Sequence, residues 1–221
     1  MPKNISKKLT IERLKKEASV FIEQESHHYE PSIYRATDGK VIGTYLEHKF
    51  QETLSKKYNY RRGRSAKGID FPGLGVDMKV TKLTQPQSSC PYQSARQKIF
   101  GLGYSLLLFV YDKIDDKHRE SSNLKIVHSL FIDKDRSADW QTTQGIHDIL
   151  KRDGNDEDLF AFFKDRNLPV DEITAKEIID DIIQRPPKIG YLTISNALQW
   201  RLQYKRAIDS ADKVDGIYRL K

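Results

Sequence analysis

The chain is poor in the residues that build covalent or soft-metal frameworks. It has one cysteine in 221 residues, Cys90. A single thiol excludes an internal disulfide network and a cysteine-rich zinc site, and Cys90 reads as an inert thiol. The six histidines show no metal-ligand spacing: His27 and His28 are adjacent, and His128 lies in an apolar run. Long apolar segments are also missing. The longest, "SLLLFVY" from Ser105 to Tyr111, is far too short to cross a bilayer. The first residues, "MPKNISKKLTIERLKK", are basic without an apolar stretch, so no secretory signal and no membrane partner are expected, and a cytoplasmic protein is. There is no G-x-S-x-G string to present a nucleophilic serine and no phosphate loop of the Walker type. Internal repeats and low-complexity linkers are absent as well.

What the chain does have is charge. Lysine and arginine number 38 against 31 acidic residues, a net charge of +7. A basic balance favours a polyanionic partner, and the charge is clustered. "YNYRRGRSAKG" sets Arg61, Arg62, Arg64 and Lys67 beside two tyrosines, and "WRLQYKR" repeats the mixture near the C-terminus with Arg201, Lys205 and Arg206.

Apolar periodicity supplies the elements. Ile11, Leu14, Ala18, Phe21 and Ile22 predict a helix over about 10–25, with Thr10 as cap. Ile42, Leu46, Phe50 and Leu54 predict another over about 41–57. Two short strands, about 68–71 and 75–81, are joined by "PGLG", and a polar stretch leads to a helix near 93–102. "YSLLLFVYDK" reads as a central strand covered on both faces. "DDKHRESSN" reads as a solvated loop and "LKIVHSLFI" as a further strand. Helices are expected over about 140–152, in "DEDLFAFFKDRN", over about 175–184 behind a Thr174–Glu177 capping box, and through "TISNALQWRLQYKRAI". "VDGIYRL" reads as a terminal strand. The expected fold class is α/β: a mixed central β-sheet flanked by helices, with a helical C-terminal region. The expected division is a sheet-containing domain at 1–152 and a helical region at 153–221, of a shape that fits a helix-turn-helix or winged helix.

The stretch "GIDFPGLGVDMKVTK", Gly68 to Lys82, concentrates the chemistry. Strand side chains alternate faces, so Asp77 and Lys79 share one face while Val76, Met78 and Val80 take the other. The glycines and Pro72 fold the chain back, which brings Asp70 towards Asp77. Two carboxylates at close range repel unless a proton or cation lies between them. Mg²⁺ suits such a site, because it takes oxygen ligands and binds through one or two carboxylates plus phosphate.

The pattern Asp70, spacer, Asp77-Met78-Lys79 resembles the PD-(D/E)xK nuclease superfamily, with Ile69 where its members usually carry proline. The likeness spans about residues 40–112 and implies a restriction-endonuclease-like core. It also implies that Asp70 and Asp77 bind metal, one or two Mg²⁺ ions per site, and that Lys79 assists an attacking water. Many members add a glutamate from a preceding helix. Glu47 stands at the edge of the Leu46–Phe50 stripe and can look towards the sheet, whereas Glu52 lies on the opposite side, so Glu47 is the third expected acid. The run from Gly75 to Lys113 looks like bacterial type II restriction endonucleases. That likeness implies sequence-specific cleavage of double-stranded DNA, a homodimer on a palindrome, a cognate DNA methyltransferase acting as a separate protein, and a bacterial or archaeal cytoplasm.

Around this centre, Gln85, Gln87, Ser88, Ser89 and Gln93 have the donors and acceptors that read base edges, and Gln97 stands on the following helix. The Arg61–Lys67 loop falls between Glu47 and Asp70 and suits phosphate contact. The helix expected at "TISNALQWRLQYKRAI" offers Arg201, Lys205 and Arg206 to DNA. Two other readings are a repair or recombination nuclease, such as a junction resolvase or exonuclease, and a non-catalytic DNA-binding regulator. Against the last stands the charged Asp77/Lys79 face. The histidine and tyrosine strings of HNH and GIY-YIG nucleases are missing.

Overall fold

A computed structural model describes residues 7–63, 68–89, 94–195 and 201–221. In chain order its elements are α1 (Ile11–Glu25), β1 (Tyr29–Glu30), α2 (Gly39–Ser55), β2 (Val76–Lys82), β3 (Gln87–Ser89), α3 (Ala95–Phe100), β4 (Ser105–Asp116) and β5 (Ser121–Ile132). The chain continues with α4 (Trp140–Leu150), α5 (Asp156–Asp165), α6 (Glu172–Gln184), β6 (Thr193–Ile194), β7 (Arg201–Gln203), α7 (Lys205–Ser210) and β8 (Ile217–Arg219). The fold is mixed α/β. It forms two compact units: residues 1–86, 106–132 and 211–221 make the first, and 87–105 and 133–210 the second. The sequence position 152/153, expected as a domain boundary, lies inside the second unit.

The first unit is a sheet with helices packed on it. The sheet runs β1-β5-β4-β2, with β8 on the same side of β5 as β1 but further along. β4 is interior and is buried from Ser105 to Tyr111, as its unbroken apolar run predicts. β4 and β5 form a long antiparallel hairpin with an irregularity at Val110/Tyr111. The expected solvated loop shrinks to residues 117–120. Its sharp turn is stabilised by the Asp116 carboxylate, which accepts from the His118 and Arg119 N–H groups. α1 starts at the Thr10 cap and buries Leu14, Ala18, Phe21 and Ile22. α2 buries Ile42, Leu46, Phe50 and Leu54 and packs on β2. Between them Phe21, Phe50, Phe71 and Phe109 form an aromatic cluster, with centroids 5.0 Å apart for Phe21–Phe50 and 5.7 Å for Phe50–Phe109.

The second unit has its own apolar core, with Ile99, Ile146, Leu159, Phe163, Ile178 and Ile182 at its centre. α5 opens with a reciprocal capping box between Asn155 and Asp158. α6 starts earlier than predicted: Asp171 caps it, accepting from the Thr174 N–H and hydroxyl. Asp171 is one turn closer to the N-terminus, so Thr174 becomes a first-turn residue instead of the cap.

The expected helix through "TISNALQWRLQYKRAI" does not form as one element. Thr193–Ile194 and Arg201–Gln203 are strands, β6 and β7, which pair antiparallel, β7 also pairs with β3, and only the end from Lys205 is helical, in α7. Residues 196–200 lie outside the described set. Ile194, Leu198 and Leu202 fit helical spacing, but Arg201 to Tyr204 also alternate: Leu202 and Tyr204 are fully buried while Gln203 is exposed. Pairing with β3 satisfies the backbone and selects the strand. The last third is therefore helical only in part.

Candidate active site

The turn after Asp70 is closed by backbone bonds in both directions between Phe71 and Val76, 2.9 and 3.3 Å, and by Leu74 N–H to the Phe71 carbonyl, 2.9 Å. Gly75 has φ +63°, a conformation that glycine adopts without steric cost. Among the described residues Phe71–Val76 is an isolated bridge, so the segment 68–71 expected as a strand is a bend instead. With Phe71 opposite Val76, Asp70 falls opposite Asp77. Phe71 is fully buried in the aromatic cluster, which anchors this turn in the core.

Asp70 and Asp77 are both buried. One Asp70 carboxylate oxygen, Oδ2, accepts from the Met78 N–H at 2.8 Å. Lys79 Nζ lies 2.8 Å from Asp77 Oδ2 and is partly exposed. Glu47, on α2, is near enough to Asp70 to raise its carboxyl, and Asp70 acts in the same way on Asp77. Burial and the neighbouring Glu47 push the Asp70 carboxyl up to about 6, against the pull of the Met78 N–H. Burial and Asp70 do the same to Asp77, also to about 6, although the Lys79 ammonium opposes the shift. Two anions crowded in this way repel unless a proton or a cation lies between them. Their donor set is all oxygen, buried and short of positive charge, and so fits a hard divalent cation. Among the described residues, no three His, Cys, Asp or Glu side chains already converge as a ready ligand set.

Two neighbours escaped the sequence reading. Gln51 is buried one turn after Glu47 and points its amide at Glu47 Oε1, 3.5 Å away. Its only sequence signal is the i, i+4 spacing. Gly63 donates its N–H to the Asp70 carbonyl at 2.8 Å, and a Cβ there would stand 2.0 Å from the Ile69 carbonyl oxygen. This close approach ties the basic loop to the acidic turn.

The predicted DNA-contacting residues are spread more widely. Arg61 is exposed beside Gly63. Arg62 is engaged with α2, donating to the Gln51 carbonyl at 3.2 Å and to the Ser55 hydroxyl. Arg64, Lys67 and Gln93 lie outside the described residues, as does Cys90. Gln85 is exposed in the turn after β2, where its carbonyl accepts from Thr81. Gln87, Ser88 and Ser89 form β3, with the Ser88 hydroxyl 2.5 Å from the Tyr204 hydroxyl. Gln97 is half-buried on α3, its amide 3.5 Å from the Leu102 carbonyl. Arg201 and Lys205 belong to β7 and α7, not to a recognition helix. Arg206 stacks on the Trp140 ring at 3.7 Å. No helix among the described residues is long and apolar enough to cross a membrane.

Comparison with known proteins defines the class: the chain is a type II restriction endonuclease, a site-specific deoxyribonuclease. It belongs to the family described as Type II restriction enzyme NspV, whose model matches residues 8–219. It is 58% identical over 209 residues, 95% of each chain, to the Type II restriction enzyme NspV of Nostoc sp. (strain ATCC 29411 / PCC 7524). No solved structure matches the chain.

Proposed function

We propose that the chain hydrolyses both strands of DNA at a defined sequence with Mg²⁺, in the manner of the PD-(D/E)xK nucleases, and that Glu47, Asp70, Asp77 and Lys79 form its active centre. The facing of Asp70 and Asp77 across the "PGLG" turn, with Glu47 on one side and Lys79 on the other, carries this reading. Asp70 and Asp77 hold the metal, and Glu47 adds a third carboxylate from α2. One or two bound Mg²⁺ ions would neutralise phosphate charge and make bound water a better nucleophile. Lys79 leaves Asp77 to hold and orient the attacking water through Nζ, and its charge offsets what builds on the phosphate during in-line attack. No covalent bond between enzyme and DNA is required. Gln51 keeps the Glu47 carboxylate turned towards Asp70.

Arg61, beside the acidic turn, contacts the phosphate backbone together with Arg64 and Lys67. The polar stretch with Gln85, Gln87, Ser88, Ser89 and Gln93 reads base edges, and Gln97, Arg201 and Lys205 support the second unit on DNA. The enzyme acts in the cytoplasm as a homodimer on a palindromic site. A separate methyltransferase protects host DNA.

Plasmid digestion in Mg²⁺ tests the assignment. Wild type yields discrete fragments. Asp77→Ala yields none while still binding DNA, because removing a carboxylate also removes repulsion from phosphate. Lys79→Ala slows cleavage by about a hundredfold or more. Full activity in Asp77→Ala overturns the reading.

A further inference from the structure

The second unit is not uniformly suited to a polyanion. Between Asp148 and Gln184, which covers the end of α4 and all of α5 and α6, 11 residues are acidic and 5 basic. This segment carries a net negative charge, which is unfavourable for contact with DNA phosphates.

One cleft of this unit has the opposite character. It encloses about 770 Å³ and is lined by Arg96, Lys134, Arg185 and Lys188, with Asp135 and Asp181. Both carboxylates are already engaged: Asp181 pairs with Arg96, and Asp135 with Lys188, at 2.9 Å for the latter. Lys134 and Arg185 are exposed and form no ion pair among the described residues, so the cleft carries their two charges in surplus.

The backbone beneath these side chains is fixed. Pro186 and Pro187 lock the segment between Arg185 and Lys188, and the Pro187 carbonyl lies 2.6 Å from His147 Nε2. On the opposite wall, the Lys134 carbonyl accepts from the Ser137 hydroxyl at 2.6 Å, and its N–H donates to the Ser105 hydroxyl at 3.1 Å. Exposed cations on a pinned backbone lose less freedom on binding than cations on a loose loop. An arginine fork with a lysine point charge is the pairing that recognises phosphodiester oxygens.

We propose that this cleft is a second backbone-binding site for duplex DNA, in which Lys134 and Arg185 each neutralise one phosphate. It rests on the reading of the chain as a DNA-cutting enzyme but not on the roles of Glu47, Asp70, Asp77 or Lys79. The cleft positions DNA without reading its sequence, since phosphate contacts carry no base information.

The test is fluorescence anisotropy of the full chain on a labelled duplex of mixed sequence, in EDTA to prevent cleavage, over a series of salt concentrations. The Lys134→Ala/Arg185→Ala double variant is expected to bind about tenfold or more weakly at moderate salt, with a log–log salt slope shallower by about 2. Lys176→Ala, which removes an exposed lysine from the acidic face of α6, serves as the control and is expected to bind as wild type does. Circular dichroism checks that all variants are folded; the side chains removed are solvent-exposed. An unchanged slope in a folded double variant overturns the cleft proposal alone. So does an equal loss in Lys176→Ala, which would mark a generic charge effect. Failure of wild type to bind this duplex would overturn the cleft proposal, whereas the DNA-cutting reading fails only if wild type yields no discrete plasmid fragments in Mg²⁺.

Discussion

Asp70 is held from two sides: its carboxylate accepts from the Met78 N–H, and its carbonyl accepts from the Gly63 N–H. The side chain pays for this position in stability. Its carboxyl, and that of Asp77, titrate at about 6 in the fold against 3.8 in the unfolded chain. A raised carboxyl stabilises the fold fully below the unfolded value and ceases to as pH rises through about 6. Above that pH Asp70 and Asp77 are both anionic and crowded, with Lys79 as the nearby cation. Asp70→Asn keeps an oxygen for Met78 and removes one charge. In metal-free buffer it is expected to melt several degrees above wild type at pH 8, with the gap shrinking towards pH 5; thermal denaturation in EDTA measures both. Adding Mg²⁺ should raise the wild-type melting temperature at pH 8 and leave that of Asp70→Asn nearly unchanged. Gly63→Ala should lose about 1–3 kcal/mol in urea unfolding and lower cleavage, since its Cβ would stand 2.0 Å from the Ile69 carbonyl oxygen.

At the scale of elements, Asp139 joins pieces far apart in the chain. Its buried carboxylate caps α4 through the Thr142 N–H and hydroxyl and accepts from the Ile194 N–H at the start of β6. Burial lowers the pKa of Lys98 on α3, and the same carboxylate opposes that shift. Asp139→Ala strands these donors, so a loss of about 2 kcal/mol or more is expected in denaturant unfolding. Phe50→Ala should cost about 3–5 kcal/mol, because Phe50 is in ring contact with Phe21, Phe71 and Phe109. That change also loosens Phe71, the anchor of the acidic turn, so cleavage should fall with stability. β7 teaches the limit of periodicity. Four residues that alternate in burial can be read as a helical stripe until a partner strand, here β3, is known.

At the scale of the molecule, the two units are interleaved along the chain, which passes between them at 86/87, 105/106, 132/133 and 210/211. The last eleven residues return to the first unit, where β8 pairs with β5 and buries Ile217. Deleting 211–221 should therefore unpair Leu130 to Ile132 along one edge of β5 and lower the melting temperature. A cut at the expected boundary after 152 removes both this strand and most of the second unit, so neither piece is expected to fold as a domain.

The sequence by itself determined the central strand, the two N-terminal helices, and the acidic turn that sets Asp70 opposite Asp77 with Lys79 beside it. These depend on short-range rules: apolar spacing, strand alternation, and a glycine turn spanning a few residues. Only the tertiary structure decided that 201–203 is a strand, that Arg62 and Arg206 are engaged with Gln51 and Trp140, and that Gln51 reaches Glu47. It also decided that Lys134 and Arg185 share a cleft. Each of these depends on partners brought together by folding, and a one-dimensional pattern records no such distance.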